Sequence, residues 1–225
     1  MPTALILGAS RGLGLEFTRQ YREQDWTVFA THRGEDDRIR LRDLGAQTLR
    51  LDVLDINDVA GISWQLDGEK IDVVVCNAGV YGPRTSSIAN PPGDTDFDLV
   101  MRTNVLAAMR LLPLVAPLLL ASRGTLAFIS SRMGSIAEAG ASYGMLYRVS
   151  KAALNMVAKL AHVEYADQGV RVLALHPGWV RTDMGGPNAE VEVGDSIAGM
   201  RRVIADPRAH PGGGFFDYRG QSLAW

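Results

Sequence analysis

Cysteine is almost absent from this chain, which has only Cys76 among its 225 residues. A disulfide framework is therefore excluded, and a reduced, cytoplasmic setting is expected. Cys76 ends a mostly apolar run, residues 71–76, so we expect it to serve as a small buried hydrophobe. The chain also has no group of His, Cys, Asp and Glu residues with metal-ligand spacing, and we predict no metal site.

The chain also lacks a marked excess of charge and a long apolar run. Charged residues make up 21% of the chain and hydrophobic residues 47%, which are ordinary values for a globular protein. The formal net charge is only −2, so no nucleic-acid partner is expected. The most apolar segment, residues 111–121, is too short to span a bilayer and contains two prolines. We predict a core helix there and no membrane association. The N-terminal residues lack the pattern of a secretory signal.

Short apolar segments alternate with longer helical stretches along the chain. This alternation predicts βαβ units, and strands that are apolar at nearly every position predict a sheet covered on both faces. We therefore expect a single-domain α/β fold over residues 1–225, a Rossmann-type doubly wound parallel sheet with helices on both faces. The predicted strands are Ala4–Leu7, Thr27–Ala30, Thr48–Val53, Ile71–Cys76, Thr125–Ser130 and Val170–Leu175, and a last strand could form within Gly212–Tyr218. The predicted helices are about Gly12–Gln24, Asp55–Gln65, Asp96–Ala121, Tyr147–Asp167 and Val193–Ala205.

A glycine-rich turn follows the first predicted strand. Residues 8–14 read Gly-Ala-Ser-Arg-Gly-Leu-Gly, with G-x-x-x-G-x-G spacing, and a helix begins within them. Glycines permit a sharp turn and a close approach of backbone amides to a pyrophosphate, and the helix N-terminus adds partial positive charge. The spacing differs from the G-x-G-x-x-G fingerprint and from the P-loop. The alternative is a tight turn that needs small residues only for packing.

The end of the second predicted strand bears on the choice of dinucleotide. NAD-binding folds place an acidic residue about 20 positions after the glycines, but residues 30–33 here read Ala-Thr-His-Arg. Arg33 and Arg11 could both reach a 2′-phosphate, which a guanidinium binds bidentately. We therefore predict NADP rather than NAD, the alternative being that both arginines are solvated surface charges. His32 is assigned to a loop.

Tyr147 and Lys151 lie four residues apart at the start of a predicted helix, so both side chains can face one site. The ordinary pKa of tyrosine is about 10, and a nearby lysine cation would lower it. Tyr147 could then act as a general acid/base on a carbonyl or hydroxyl oxygen. The alternative is a surface lysine beside a half-buried tyrosine. Ser130 and Ser131 follow a predicted strand at the edge where open α/β sheets bind ligands.

Taken in order, these motifs resemble the short-chain dehydrogenase/reductase family over nearly the whole chain. The matching features are the turn at residues 8–14, Asp52-Val53, Asn77-Ala78-Gly79, Asn104, Ser131, Tyr147, Lys151, and Pro177-Gly178 with Thr182. Residues 129–135 and 176–186 are most similar to the C-factor-like branch, which includes carbonyl reductases and a bacterial signalling protein. Cys76 departs from the family, since many members have an asparagine there.

The resemblance implies an NAD(P)-dependent oxidoreductase that moves hydride between nicotinamide and a carbonyl or alcohol. It implies that Tyr147 exchanges a proton with the substrate oxygen, and that Ser131 polarises this oxygen. Lys151 would bind the nicotinamide ribose and lower the tyrosine pKa, and Asn104 would hold a water. The Ser-x-x-Gly spacing to Gly134 favours Ser131 over Ser130, which would be a strand residue. The implied cofactor-binding residues are Gly8, Ser10, Arg11, Gly12, Leu13, Gly14, Arg33, Asp52, Val53, Asn77, Ala78, Gly79, Tyr147, Lys151, Pro177, Gly178, Val180 and Thr182.

Other interpretations remain open at this stage. The chain could be a nucleotide-binding signalling or regulatory protein of the C-factor type with little or no turnover. A nucleotide-sugar epimerase or dehydratase would need a larger C-terminal domain, and a methyltransferase would not explain Tyr147 with Lys151. The helices near Asp96 and Tyr147 could pair between subunits in a homodimer or homotetramer. Tyr143 or Met145 is a candidate for lining the substrate pocket, with ordinary loop packing as the alternative.

Overall fold

Seven parallel strands form one sheet, in the order β3-β2-β1-β4-β5-β6-β7. In the computed structural model, which describes residues 1–225, the strands are β1 Thr3–Leu7, β2 Thr27–His32, β3 Gln47–Arg50, β4 Val73–Cys76, β5 Thr125–Ile129, β6 Arg171–His176 and β7 Gly214–Asp217. The strand order reverses between β1 and β4, and ligands bind beyond the carboxyl ends of strands at such a switch point. The predicted doubly wound parallel sheet and its last strand are confirmed.

The strands are connected by seven α-helices. They are α1 Gly12–Arg22, α2 Glu35–Asp43, α3 Ile56–Gln65, α4 Asp94–Met101, α5 Ala107–Leu120, α6 Met145–Tyr165 and α7 Val193–Ala205. Helix α2 was not predicted, because Leu41 is its only buried residue and its apolar periodicity is accordingly faint. Three acidic residues in its first turn complement the helix dipole and stabilise it instead.

Both faces of the sheet are covered, and a separate core lies on each face. Along β1, Leu5 and Leu7 belong to one core, whereas Ala4 and Ile6 belong to the other. This division follows from the two-residue period of a strand, which sends successive side chains to opposite faces. It also explains why the central strands, such as β1 and β4, are apolar at nearly every position rather than at alternate positions.

The long helix predicted over Asp96–Ala121 is interrupted. A turn of π-helix, Arg102–Leu106, separates α4 from α5. Such a turn is often found at functional sites, because it redirects a side chain without ending the helix. The stretch Asp94–Leu120 is long and apolar enough to cross a membrane, but 56% of its most apolar window is buried within the protein, as in a core helix.

Candidate active site

The glycine-rich turn joins β1 to α1 in a conformation that requires Gly8. This residue has φ +86°, and a Cβ placed on it would lie 2.7 Å from the backbone nitrogen of Ala78. Its N–H donates to the Thr31 hydroxyl at 2.8 Å, and its carbonyl oxygen accepts from the Asn77 side-chain amide at 2.7 Å. The ends of β1, β2 and β4 are thereby held together around the turn.

Helix α1 begins within this turn with its dipole uncompensated. Its N-cap, Arg11, makes no side-chain capping bond, and no acidic residue lies in the first turn. Gly14 lets the helix approach the strand, since a Cβ there would overlap the carbonyl oxygen of Gly8 and lie 2.8 Å from Nδ2 of Asn77. Free backbone N–H groups and positive partial charge suit the pyrophosphate of a dinucleotide, so the residues present fit that group.

A cleft runs from this turn along the carboxyl ends of the strands. It is lined by twelve of the predicted cofactor residues: Gly8, Ser10, Arg11, Gly12, Leu13, Arg33, Asp52, Val53, Asn77, Ala78, Gly79 and Thr182. The other six, Gly14, Tyr147, Lys151, Pro177, Gly178 and Val180, lie outside this lining. Gly14 acts through packing, and Val180 is buried in a bridge with Val191. The lining residues that the sequence analysis missed include Thr31, His32, Val80, Thr103 and Met184.

The two arginines predicted to bind a 2′-phosphate both reach the cleft. The Arg33 side chain is exposed beside it, whereas Arg11 pairs with Asp183 at 2.9 Å across the cleft. Both members of this pair are largely exposed, so it contributes little to stability. The assignment of His32 to a loop was wrong, because it is the buried last residue of β2 and its Nδ1 lies 3.0 Å from the carbonyl oxygen of Gly34.

Tyr147 and Lys151 face each other on the first turns of α6. The Lys151 ammonium lies 5.6 Å from the centre of the Tyr147 ring, and both side chains are buried. Nζ of Lys151 also donates to the carbonyl oxygen of Ile129, at the end of β5, at 2.8 Å. The pair approaches the cleft through Gly79, where a Cβ would lie 3.6 Å from Nζ of Lys151. The one-face arrangement expected from the four-residue spacing is therefore present.

Burial controls the ionisation of this pair. It raises the pKa of the Tyr147 phenol above its usual value, and the neighbouring Tyr81 raises it further, while the Ser131 hydroxyl lowers it. Burial also lowers the pKa of Lys151 to about 8. The four-residue spacing predicted that Lys151 would lower the tyrosine pKa, but desolvation disfavours the phenolate and determines the direction of the pKa shift here.

The two adjacent serines after β5 point in different directions. The Ser130 hydroxyl donates to Oδ1 of Asn155 at 2.5 Å and is committed to the interior. The Ser131 hydroxyl accepts from the backbone N–H of Met133 at 3.1 Å, and it lies near enough to Tyr147 to influence its pKa. Because successive side chains at a strand end point to opposite sides, only Ser131 can serve the tyrosine.

Asn104 lies in the π-helical turn, with its side chain directed at the loop after β4. Its Oδ1 accepts from the N–H of Val80 at 2.8 Å, and its Nδ2 donates to the Val80 carbonyl at 2.8 Å and to the Ser150 hydroxyl at 2.9 Å. Both amide hydrogens are therefore used within the protein. The side chain ties the loop to α6, and only a lone pair of Oδ1 remains for the water that the family resemblance implied.

Tyr81 is the main site residue that sequence reasoning missed. Its ring stacks on that of Tyr147, with the centroids 4.5 Å apart and the planes inclined by 17°. Its hydroxyl lies 3.9 Å from the sulfur of Met133. An aromatic residue two positions after the Asn-Ala-Gly segment was a visible signal, but nothing local predicted its contact with a residue 66 positions away.

Comparisons with known proteins agree with this geometry. A family model described as short chain dehydrogenase matches residues 2–192. The chain is similar to C-signal of Myxococcus xanthus, with 39% identity over 161 residues that cover 69% of this chain and 93% of the relative.

Two solved structures resemble the whole chain. One is a short-chain dehydrogenase/reductase from Burkholderia multivorans with bound NADP, at TM-score 0.92, 32% identity, and coverage of 100% and 99% of the two chains. The other is an NADPH-bound carbonyl reductase from chicken fatty liver, at TM-score 0.89, 29% identity and the same coverage. Because the fold, the glycine-rich turn at residues 8–14 and the match to the family model all agree, the chain belongs to the short-chain dehydrogenase family.

Proposed function

We propose that this protein is an NADP-dependent oxidoreductase that reduces a carbonyl compound, with Tyr147 as the proton donor. The observation that carries this proposal is the convergence of Tyr147, Ser131 and Lys151 beside a cleft that begins at an uncapped helix N-terminus. The choice of NADP is supported by Arg33 and Arg11 at the cleft and by similar structures whose descriptions name NADP or NADPH.

The chain's own residues would divide the work as follows. The turn at residues 8–14 holds the pyrophosphate, and Arg33 with Arg11 holds the 2′-phosphate, Arg11 leaving its exposed pairing with Asp183. Bound NADPH supplies the hydride that reduces the carbonyl carbon. Ser131 orients the carbonyl oxygen, and Tyr147 delivers its phenolic proton to that oxygen, so that an alcohol forms.

Both members of the pair have a role in proton transfer. Tyr147 is protonated at neutral pH, the form that donates a proton, but its raised pKa makes the phenol a weaker acid, so the tyrosinate needs a nearby positive charge. Lys151, with a pKa of about 8, is mostly charged at pH 7 and can stabilise the tyrosinate that remains after transfer. Asn104 positions the loop after β4, from which Gly79 lines the cleft.

The test is a titration of the protein with NADPH and NADH, followed by turnover of a panel of aldehydes and ketones. Tyr147→Phe should lower carbonyl reduction by at least about 100-fold, the lower end of what general acid catalysis contributes, while NADPH binds as before. Reduction at the full rate by this variant would refute the role of Tyr147. Equal affinity for the two nucleotides would refute the choice of NADP.

A second candidate is a nucleotide-binding regulatory protein with little or no turnover, favoured by the similarity to C-signal. The two candidates predict different results in the same experiment. Tight NADPH binding without turnover of any carbonyl or alcohol in the panel would favour regulation, whereas turnover that depends on Tyr147 would favour the enzyme.

We also propose that residues 1–225 form one domain and that the protein is cytoplasmic. We further propose that its active form contains two or more copies of the chain. An exposed apolar stripe on α6 supports this assembly, because Met156, Leu160 and Val163 are all more than half exposed. Light scattering after size exclusion should give a dimer or tetramer. The substitution Leu160→Glu should shift the measured mass towards that of the monomer. An unchanged mass would show that this face of α6 is not the interface between copies.

A further inference from the structure

Two arginines and two tyrosines surround the outer side of the catalytic tyrosine. We call Tyr81, Arg84, Tyr143 and Arg148 the rim cluster. The Tyr81 ring, stacked on Tyr147, has the Arg84 guanidinium 5.0 Å from its centre, and the Arg148 guanidinium lies 5.0 Å from the centre of the Tyr143 ring. Both arginines and Tyr143 are close enough to Tyr81 to influence its pKa, so the four side chains form one group.

Three hydrogen bonds hold the backbone that carries the rim cluster. Ser86 is buried and lies in the same loop as Tyr81 and Arg84. Its carbonyl oxygen accepts a hydrogen bond from the N–H of Met145 at 3.2 Å, and its hydroxyl accepts one from the N–H of Leu146 at 3.3 Å. The Nε of Arg148 donates to the carbonyl oxygen of Tyr143 at 2.9 Å. The two bonds of Ser86 attach the loop after β4 to the start of α6, where Tyr147 lies, and the bond of Arg148 holds its guanidinium beside Tyr143.

Arg84 connects the loop after β4 to the cleft lining. Its Nη2 donates to the carbonyl oxygen of Met184 at 2.5 Å, and Met184 belongs to that lining. Arg84 also lies over Tyr81, which stacks on Tyr147, so its guanidinium is near any substrate bound at Tyr147. Because Arg84 is exposed and uses one N–H in this bond, its remaining donors are available to a ligand.

The charge of the rim cluster is not neutralised. Neither Arg84 nor Arg148 lies within ion-pair distance of a carboxylate, whereas Arg132 and Arg181 elsewhere in the same protein do. Buried Lys151 adds a third cation on the inner side of Tyr147. This local positive charge contrasts with the net charge of −2 for the whole chain. Such a concentration of one sign at an entrance attracts ligands of the opposite sign.

We propose that the rim cluster binds a carboxylate on the substrate, so that the preferred substrate is a carbonyl compound that also carries a carboxylate. The guanidinium of Arg84 offers the planar fork of donors that a carboxylate accepts bidentately. This inference rests on the proposed carbonyl reduction and specifies the substrate class for the same site.

The test compares 4-formylbenzoate with 4-formylbenzamide, two aldehydes that differ in charge and little in shape, in the NADPH-loaded protein. The wild-type kcat/KM should be at least about tenfold higher for the carboxylate, as expected for one charge-assisted hydrogen bond. Arg84→Gln should remove most of this preference by raising KM, and high salt should weaken it. The matched control is Arg202→Gln, which removes the same charge from an exposed position on α7 and should leave the preference intact.

Equal kcat/KM values for the two aldehydes would overturn the proposal, as would an equal loss for both in Arg84→Gln. If neither aldehyde is reduced, the proposed function fails separately, and the binding of benzoate and benzamide to the NADPH-loaded protein then decides the carboxylate site. Tighter binding of benzoate that is lost in Arg84→Gln would support the site, whereas equal binding would refute it.

Discussion

Replacing Gly14 with alanine tests whether the glycine-rich turn is built as the structure describes. The new Cβ would overlap the carbonyl oxygen of Gly8 and lie 2.8 Å from the Asn77 amide and 2.9 Å from Cα of Ala9. Two of these three atoms belong to the backbone and cannot rotate away. Helix α1 would have to move off the end of β1, and the whole turn would move with it.

The expected cost follows from this overlap. Inserting a methyl group into a well-packed site costs about 1–3 kcal/mol, and we expect the upper part of that range because backbone must shift. The better helix propensity of alanine returns up to about 1 kcal/mol. A net loss of about 2 kcal/mol corresponds to a decrease of about 4–8 °C in Tm for a chain of this size. The affinity for NADPH should decrease as well, because the amides that face the pyrophosphate move.

Urea unfolding followed by circular dichroism gives the stability, and NADPH fluorescence gives the affinity. Gly194→Ala is a matched control, because Gly194 also lies in the first turn of a helix but a Cβ there meets only Oε1 of Glu16, at 3.5 Å. This control should unfold at the wild-type urea concentration or slightly above it. Wild-type stability and NADPH affinity in Gly14→Ala would refute the account of the turn.

Three further predictions concern the site and its support. Arg33→Ala should weaken NADPH binding by at least about tenfold, as for a lost charge-assisted hydrogen bond, with little effect on NADH; equal losses in parallel titrations would rule out a 2′-phosphate contact. Carbonyl reduction should decrease as the pH rises through about 8, because Lys151 then loses its charge, and a pH profile of kcat/KM that is flat to pH 10 would contradict this role. Trp225→Ala should lower Tm, because the Trp225 ring stacks on the Phe215 ring with the centroids 5.4 Å apart, and such a pair contributes about 0.5–1.5 kcal/mol beyond its buried area. Trp225→Phe should restore part of this loss. An unchanged Tm in both variants would show that the contact does not stabilise the fold.

The features that the sequence predicted correctly depend on local patterns. The apolar strands, the glycine spacing from Gly8 to Gly14 and the single helical turn between Tyr147 and Lys151 are all properties of neighbouring residues. Helix α2 and the π-helical turn were missed because the first has almost no buried face and the second differs from an α-helix only in its hydrogen bonds. Neither leaves a clear periodic signal.

Contacts between distant segments could not be predicted. Tyr81 meets Tyr147 only because β4 and β5 are neighbours in the sheet and Ser86 ties the intervening loop to α6. The partner of Arg11, Asp183, is 172 positions away. Likewise, the hydrogen bonds of Asn104 to Val80 depend on how the π-helical turn packs against the loop after β4.

By itself, the sequence determined the alternation of strands and helices apart from α2, the position of the glycine-rich turn, and the placement of Tyr147 and Lys151 on one helix face, since these follow from residue type and spacing along the chain. The tertiary structure alone decided that Tyr81 stacks on Tyr147 and in which direction the tyrosine pKa moves. The first depends on how the loop after β4 packs against the start of α6. The second depends on how much solvent the folded chain removes from the phenol, and desolvation is a property of the whole packed fold rather than of any segment.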